Sequence, residues 1–284
     1  MTTTSTSKST VTAANFDPLA DYPSMMRIGH RYENSLGQRL ALGGFKGPQD
    51  VAVGPDGWLY VINRYAEAGT EVARSRFVRV RVDDSGYEDD IIASFSGEPD
   101  PVGAETLPSA VMCDVDSAGI LYMTDEHANV VAKFDTATSA ATDHWGTSGE
   151  GPGQLNGPSG IALDADENVW VVSSLNHRVE RFTKDGEHIS GFGALGREPG
   201  QLDHPWGIAV DPVNGTLLVA DWRNDRVQRF STDGELLQVI GSSGNGPGEM
   251  NRPSGVAVDK HGDIYVADRS NNRVLMFNPR GMFI

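Results

Sequence analysis

Two tryptophans and a group of cations and carboxylates are the residues best placed to do chemistry in this 284-residue chain. Trp206 and Trp222 are close in sequence, with Arg223 beside the second and His204 just before the first. Two indoles with cations at hand suit a planar or anionic ligand, because the ring faces attract positive charge and bury well. Arg64, His127, His204 and Arg223 are candidate acid–base or anion-holding groups, and Arg269 joins them as a ligand-binding candidate. Seven histidines are present, at 30, 127, 144, 177, 188, 204 and 261. A zinc site needs about three convergent ligands at roughly 2.0–2.1 Å. His127, His177 and His204 fall at different offsets in the repeat described below, so spacing implies no convergence and no metal ligand is assigned. Glu126, Asn63, Asp50 and Asn176 could offer oxygen atoms to calcium, but no pattern singles them out. No cofactor is expected, calcium or zinc in a central channel being the one exception left open. Nucleophile elbow, phosphate loop, Cys-x-x-Cys and His-Glu-x-x-His patterns are all missing from the sequence.

These residues sit on a repeated framework. Pro253-Ser254-Gly255-Val256-Ala257-Val258-Asp259 is followed by Asp263-Ile264-Tyr265-Val266-Ala267-Asp268 and then by Asn271-Asn272-Arg273-Val274-Leu275-Met276-Phe277. The same order of words runs from Pro205 to Phe230, Pro158 to Phe182, Pro108 to Phe134 and, more loosely, from Pro48. Short apolar runs repeated every forty to sixty residues indicate an all-β propeller in which each repeat is one four-stranded antiparallel blade. The first strand is apolar on both faces, as a strand lining a crowded centre must be. Its middle residue is small in four copies (Ala52, Ala162, Ala209, Ala257), and Met112 is read as the exception. Cys113 is aligned with Val53, Leu163, Val210 and Val258, as a buried small hydrophobe. Expected blades span about 47–96, 107–147, 157–193, 204–241 and 252–284, after a Ser/Thr-rich disordered tail over 1–22.

The Pro-x-Gly-Ile/Val-Ala-Val/Leu-Asp opening and the Asn-x-Arg-Val element resemble those of the NHL-repeat propellers, over roughly residues 45–284. That resemblance implies a six-bladed ring whose connectors and second-to-third-strand loops share one face around the channel mouth. Five complete repeats are counted, and Ser24-Met25-Met26-Arg27-Ile28-Gly29 reads as an orphan outer strand of a sixth blade. On that count the final repeat is missing and the chain is a fragment of a longer protein, the alternative being a five-bladed ring. Within the resemblance, peptide-amidating lyases place zinc histidines directly after the repeat proline. Here those positions hold Gln49, Ser109, Ser159, Trp206 and Ser254, so that chemistry is not implied. Arg64 alone matches an arginine of those lyases.

Asp125, Asp221 and Asp268, with Arg178, Arg226 and Arg273, recur at fixed places in the repeat. A residue present in every blade cannot serve one reaction centre, so these are expected to pair with each other or with loop backbone. Function belongs where the copies differ. The net charge of −16 repels nucleic-acid backbones and anionic lipid. With no apolar signal run and no membrane-length segment, the expectation is a monomeric cytoplasmic protein. It would recognise a protein or a small molecule through the upper face around the channel. A channel-mouth hydrolase or lyase, with or without a metal, is the alternative.

Overall fold

The computed structural model describes residues 47–66, 73–83, 86–96 and 109–284; the expected tail and the Ser24–Gly29 strand lie outside them. The described chain is an all-β propeller. Its first blade comprises strands Pro48–Val53, Leu59–Ala66, Ala73–Asp83 and Gly86–Ser96. The second comprises Ala110–Val115, Ile120–Asp125, Val130–Asp135 and Ala140–Trp145, and the third Pro158–Leu163, Val169–Ser173, Arg178–Phe182 and His188–Phe192. The fourth holds Pro205–Val210, Leu217–Asp221, Arg226–Phe230 and Leu236–Ile240. Every blade is a meander whose neighbouring strands are antiparallel, because short turns join them in sequence order. The fifth differs from expectation. It is a three-stranded sheet, Pro253–Val258, Ile264–Asp268 and Arg273–Phe277, with only a single bridge from Phe277 to Phe283 where a fourth strand would run.

The core lies between blades. Four apolar clusters each join two consecutive blades: Ile62 and Phe77 with Leu121 and Phe134, Tyr122 and Val131 with Ile161 and Phe182, Trp170 and Val179 with Leu217 and Phe230, and Leu218 and Val227 with Ile264 and Phe277. Each of three blade-to-blade connectors plugs one apolar side chain into these layers, Leu155, Leu202 and Met250, all fully buried. A fully buried residue of this size contributes roughly 1.5–3 kcal/mol. The inner strands pack side by side from the first blade to the fifth. Their closeness explains the glycine of the repeated opening: a Cβ on Gly160 would lie 2.5 Å from the Trp206 carbonyl oxygen, and one on Gly207 would lie 2.8 Å from that of Ser254. The flanks of blades one and five that share a cavity keep Val51, Val53 and Val274 exposed.

The second blade corrects the sequence alignment. The backbone carbonyl of its turn residue Asp116 accepts the Gly119 N–H just as that of Asp259 accepts the Gly262 N–H. Counting from this turn, Asp114 pairs with Tyr122 as Ala52 pairs with Tyr60, Ala162 with Trp170 and Ala257 with Tyr265. The ladder skips between Ala110 and Cys113. This bulge takes up extra residues, so Asp114, not Met112, occupies the position held elsewhere by alanine. Cys113 then matches Val51, Ile161 and Val256, and it is buried as expected.

The repeated charges are scaffold. Arg226 and Arg273 place Nε 2.8 Å from the buried carboxylates of Asp221 and Asp268. Their remaining guanidinium nitrogens donate to connector carbonyls of Glu198, Gln201, Asn245, Gly246 and Glu249. In the third blade Ser173 replaces the aspartate, and Arg178 pairs with Glu180 instead. The second blade has Val130 in the arginine position, and Asp125 accepts backbone N–H groups of Ser109, His127 and Ala128.

Candidate ligand site at the channel mouth

Three residues that follow a repeat proline, Gln49, Trp206 and Ser254, share one cavity with Arg64, Glu126 and Arg269, which lie at or near the ends of second strands. That cavity measures about 800 Å³, and Asp50, Val61, Met112 and Ala267 also line it. Arg64 of the first blade and Glu126 of the second pair in its lining, Nη1 to Oε1 2.5 Å. Trp206 is held by its backbone, whose carbonyl accepts the Ser159 hydroxyl at 2.9 Å. Its side chain packs against the apolar layer between blades two and three.

Asp50 replaces the repeat glycine and hangs inside the cavity, where its Oδ2 accepts the Cys113 N–H at 2.9 Å. Asp114 makes the same bridge one blade on, to the Leu163 N–H at 2.8 Å. Burial pushes the Asp50 carboxyl up to about 7, and the Asp114 charge adds to the rise against the Cys113 N–H. Burial raises Asp114 as well. A carboxyl near neutrality in a cavity can either give or take a proton.

A second group continues outward from Trp206. Its ring lies 6.4 Å from that of Trp222, and Trp222 lies 6.5 Å from His204. His204 in turn meets His177 at 4.6 Å, edge to face. Two guanidinium groups cover Trp222, Arg223 at 5.7 Å and Arg252 at 5.2 Å from the ring centre. Trp222 Nε1 is shielded from solvent and has no acceptor among the described residues. The turn Trp222–Asn224 presents Trp222 and Arg223 together, and Arg223 lies 4.0 Å from Asp203.

Of the residues expected from the sequence, Arg64, Trp206 and Arg269 line the cavity. His204, Trp222 and Arg223 form one contiguous platform with Trp206. His127 is exposed and lies outside both groups. The expectation that the histidines stay apart is corrected in part, because His177 and His204 touch. His177 ends the third blade's 3₁₀ turn Ser174–Asn176, which bonds to the connector entering that blade, and its ring accepts the His204 N–H from the connector entering the fourth. Burial first, and then the His204 ring, hold His177 below the ordinary imidazole value despite Asp203. Arg252 and Asp203 were not anticipated.

A backbone signal marks these residues. The residue before the inner strand has positive φ in Gly47, Gly157, His204 and Arg252. Only a side chain pays there, by about 1–2 kcal/mol, so blades four and five keep His204 and Arg252 against a backbone preference. His177 has φ 56° at the position where the other blades place Asn129, Asp225 and Asn272, all residue types enriched in this region.

Comparison with known proteins gives the same architecture. Residues 207–284 match a family model described as a 6-bladed beta-propeller, and residues 36–61 match one described as strictosidine synthase-like, N-terminal. No curated protein matches the sequence. A streptogramin B lyase structure is 17% identical with a TM-score of 0.56, covering 88% of this chain and 71% of that one. A gluconolactonase from Xanthomonas campestris is 18% identical with a TM-score of 0.58, covering 84% and 75%. A propeller-matching chain of the nidogen–laminin complex is 19% identical with a TM-score of 0.55, covering 72% of each chain. At these identities the likeness is one of fold, and the fold serves both enzymes and binding proteins.

Proposed function

We propose that this NHL-type propeller is a ligand-recognition protein whose upper face holds a small molecule carrying a planar group and an anionic group. The observation that carries this reading is Trp222 with two guanidinium groups against its ring, joined through Trp206 to the cavity. The planar group would stack on the indoles, and Arg223, Arg252, Arg64 and Arg269 would meet the negative charge.

Trp206 and Trp222 are themselves the reporters. Titration of aromatic carboxylates and aryl phosphates against intrinsic fluorescence is expected to give saturable quenching. Trp206→Ala and Arg223→Ala should each weaken that binding by about tenfold, roughly 1.4 kcal/mol. Saturable binding that neither variant changes overturns the reading.

A second reading, a channel-mouth hydrolase or lyase, is favoured by one observation, the Asp50 carboxyl near neutrality in the cavity that Arg64 and Glu126 also line. Asp50 would be the acid–base group and Arg64 would hold developing negative charge. Turnover of lactone or ester substrates that disappears in Asp50→Asn would establish this reading over simple recognition.

A further inference from the structure

We propose that His177, Asp203 and His204 form a binding site for a divalent transition-metal ion, zinc being the best match, at the seam between the third and fourth blades. Each residue offers one ligand atom, and the three atoms lie within 4.8 Å of one another. His204 Nδ1 is 2.7 Å from Asp203 Oδ1, and His177 Nδ1 is 3.8 Å from the same oxygen. Ligands at about 2.0–2.2 Å from a tetrahedral ion lie some 3.3–3.5 Å apart, so small side-chain rotations complete the site. Two imidazoles and one carboxylate select zinc, nickel, cobalt or copper over calcium and magnesium, which prefer oxygen.

The repeat itself argues that this trio is not ordinary scaffold. At the Asp203 position the neighbouring blades have Asn156 and Asn251, whose backbones make the same turn contacts. At the His204 position other blades have Gly47 and Gly157, and at the His177 position they have Asn129 and Asn272. All three metal-ligating side chains therefore stand where the fold accepts a residue that would bind an ion poorly, and both histidines occupy left-handed backbone. The His204 N–H donates to His177 Nδ1 at 3.1 Å, so an ion that takes this nitrogen displaces that hydrogen bond. Three protein ligands leave one position of a tetrahedral ion open, beside the Arg223 guanidinium. The site lies at the outer end of the Trp206–Trp222 platform and shares Arg223 with it.

The test uses the full chain, stripped with a chelator and titrated with zinc chloride by calorimetry, with cobalt absorption as a second readout. His177→Asn, Asp203→Asn and His204→Gly copy residues that neighbouring blades already hold in the same backbone, so the variants are expected to fold. One zinc per chain is expected, weakened about 10–100-fold by each substitution, as for other losses in a ligand set. The triple variant should lose saturable binding, the tetrahedral cobalt spectrum and the zinc-dependent rise in unfolding temperature that the native chain shows. Absence of saturable zinc binding in the native chain overturns the proposal. So does undiminished binding in the folded triple variant.

Discussion

Arg64 and Glu126 join the first and second blades by a single ion pair, 2.5 Å long, in the lining of the cavity. Their side chains are 34% and 29% exposed. A pair that wet contributes about 1 kcal/mol or less, so its removal should cost little stability. It does occupy a guanidinium that a bound anion would want. Glu126→Gln is expected to shift the unfolding temperature by no more than about 3 °C. The same change should tighten binding of an aromatic carboxylate, read by fluorescence titration. Weaker binding in that variant would show that Arg64 depends on Glu126 for its position.

Asp50 makes stability depend on pH. Its folded carboxyl stands at about 7 against an ordinary value of 3.8, so between those values the folded state keeps a proton that the unfolded state has lost. The contribution is full below pH 3.8 and is lost as pH rises through 7, at up to about 1.4 kcal/mol per pH unit. Asp50→Asn keeps an acceptor for the Cys113 N–H and removes this titration. Urea unfolding at pH 4 and pH 8 should show the variant gaining on the native chain at the higher pH. A residual decline is expected from Asp114, which burial also raises. A difference that does not change with pH would mean that Asp50 ionises normally.

Asp221 is fully buried and accepts hydrogen bonds from Arg226, Asn224, Gln228 and the Asp203 N–H. Asp221→Ala strands the Arg226 cation and loosens the connector that carries Asp203 and His204. The expected loss is about 3–5 kcal/mol by guanidinium unfolding. A loss below about 1 kcal/mol would show that water reaches the vacated site and satisfies these donors.

Cys113 should be inert in the folded protein. Burial lifts its thiol well above the ordinary range, and Asp50 and Asp114 add to the effect. A thiol-specific chromophore is expected to react with one equivalent only after denaturant is added. Rapid reaction of the native chain would contradict the packing between blades one and two.

Most of the blade was legible because propeller strands announce themselves by turn residues and apolar alternation, which need no long-range information. The structural role of the Asp221–Arg226 and Asp268–Arg273 pairs was legible for the same reason, since repetition itself argues against a single reaction centre. The second blade misled because Pro108 was used as the anchor, and the strand Ala110–Val115 that follows carries a bulge between Ala110 and Cys113. The carboxylate Asp116, which closes the turn, keeps the true register and exposes Asp114 as a charged residue in an alanine position. The contact of His177 with His204 was hidden by their different offsets, one ending a turn and the other beginning a strand in the next blade. Comparing left-handed positions across blades would have shown both, because histidine stands there where other blades hold glycine, asparagine or aspartate.

The close approach at Gly160 and Gly207 has a consequence for how the blades are spaced. A Cβ at either position would first meet a carbonyl oxygen of the next inner strand, that of Trp206 or of Ser254. A backbone atom cannot turn aside as a flexible side chain can, so room for even one methyl group would have to come from moving a whole strand. The pitch from blade three to blade four, and from four to five, is thus set by peptide groups, and the side chains above inherit their separation from it.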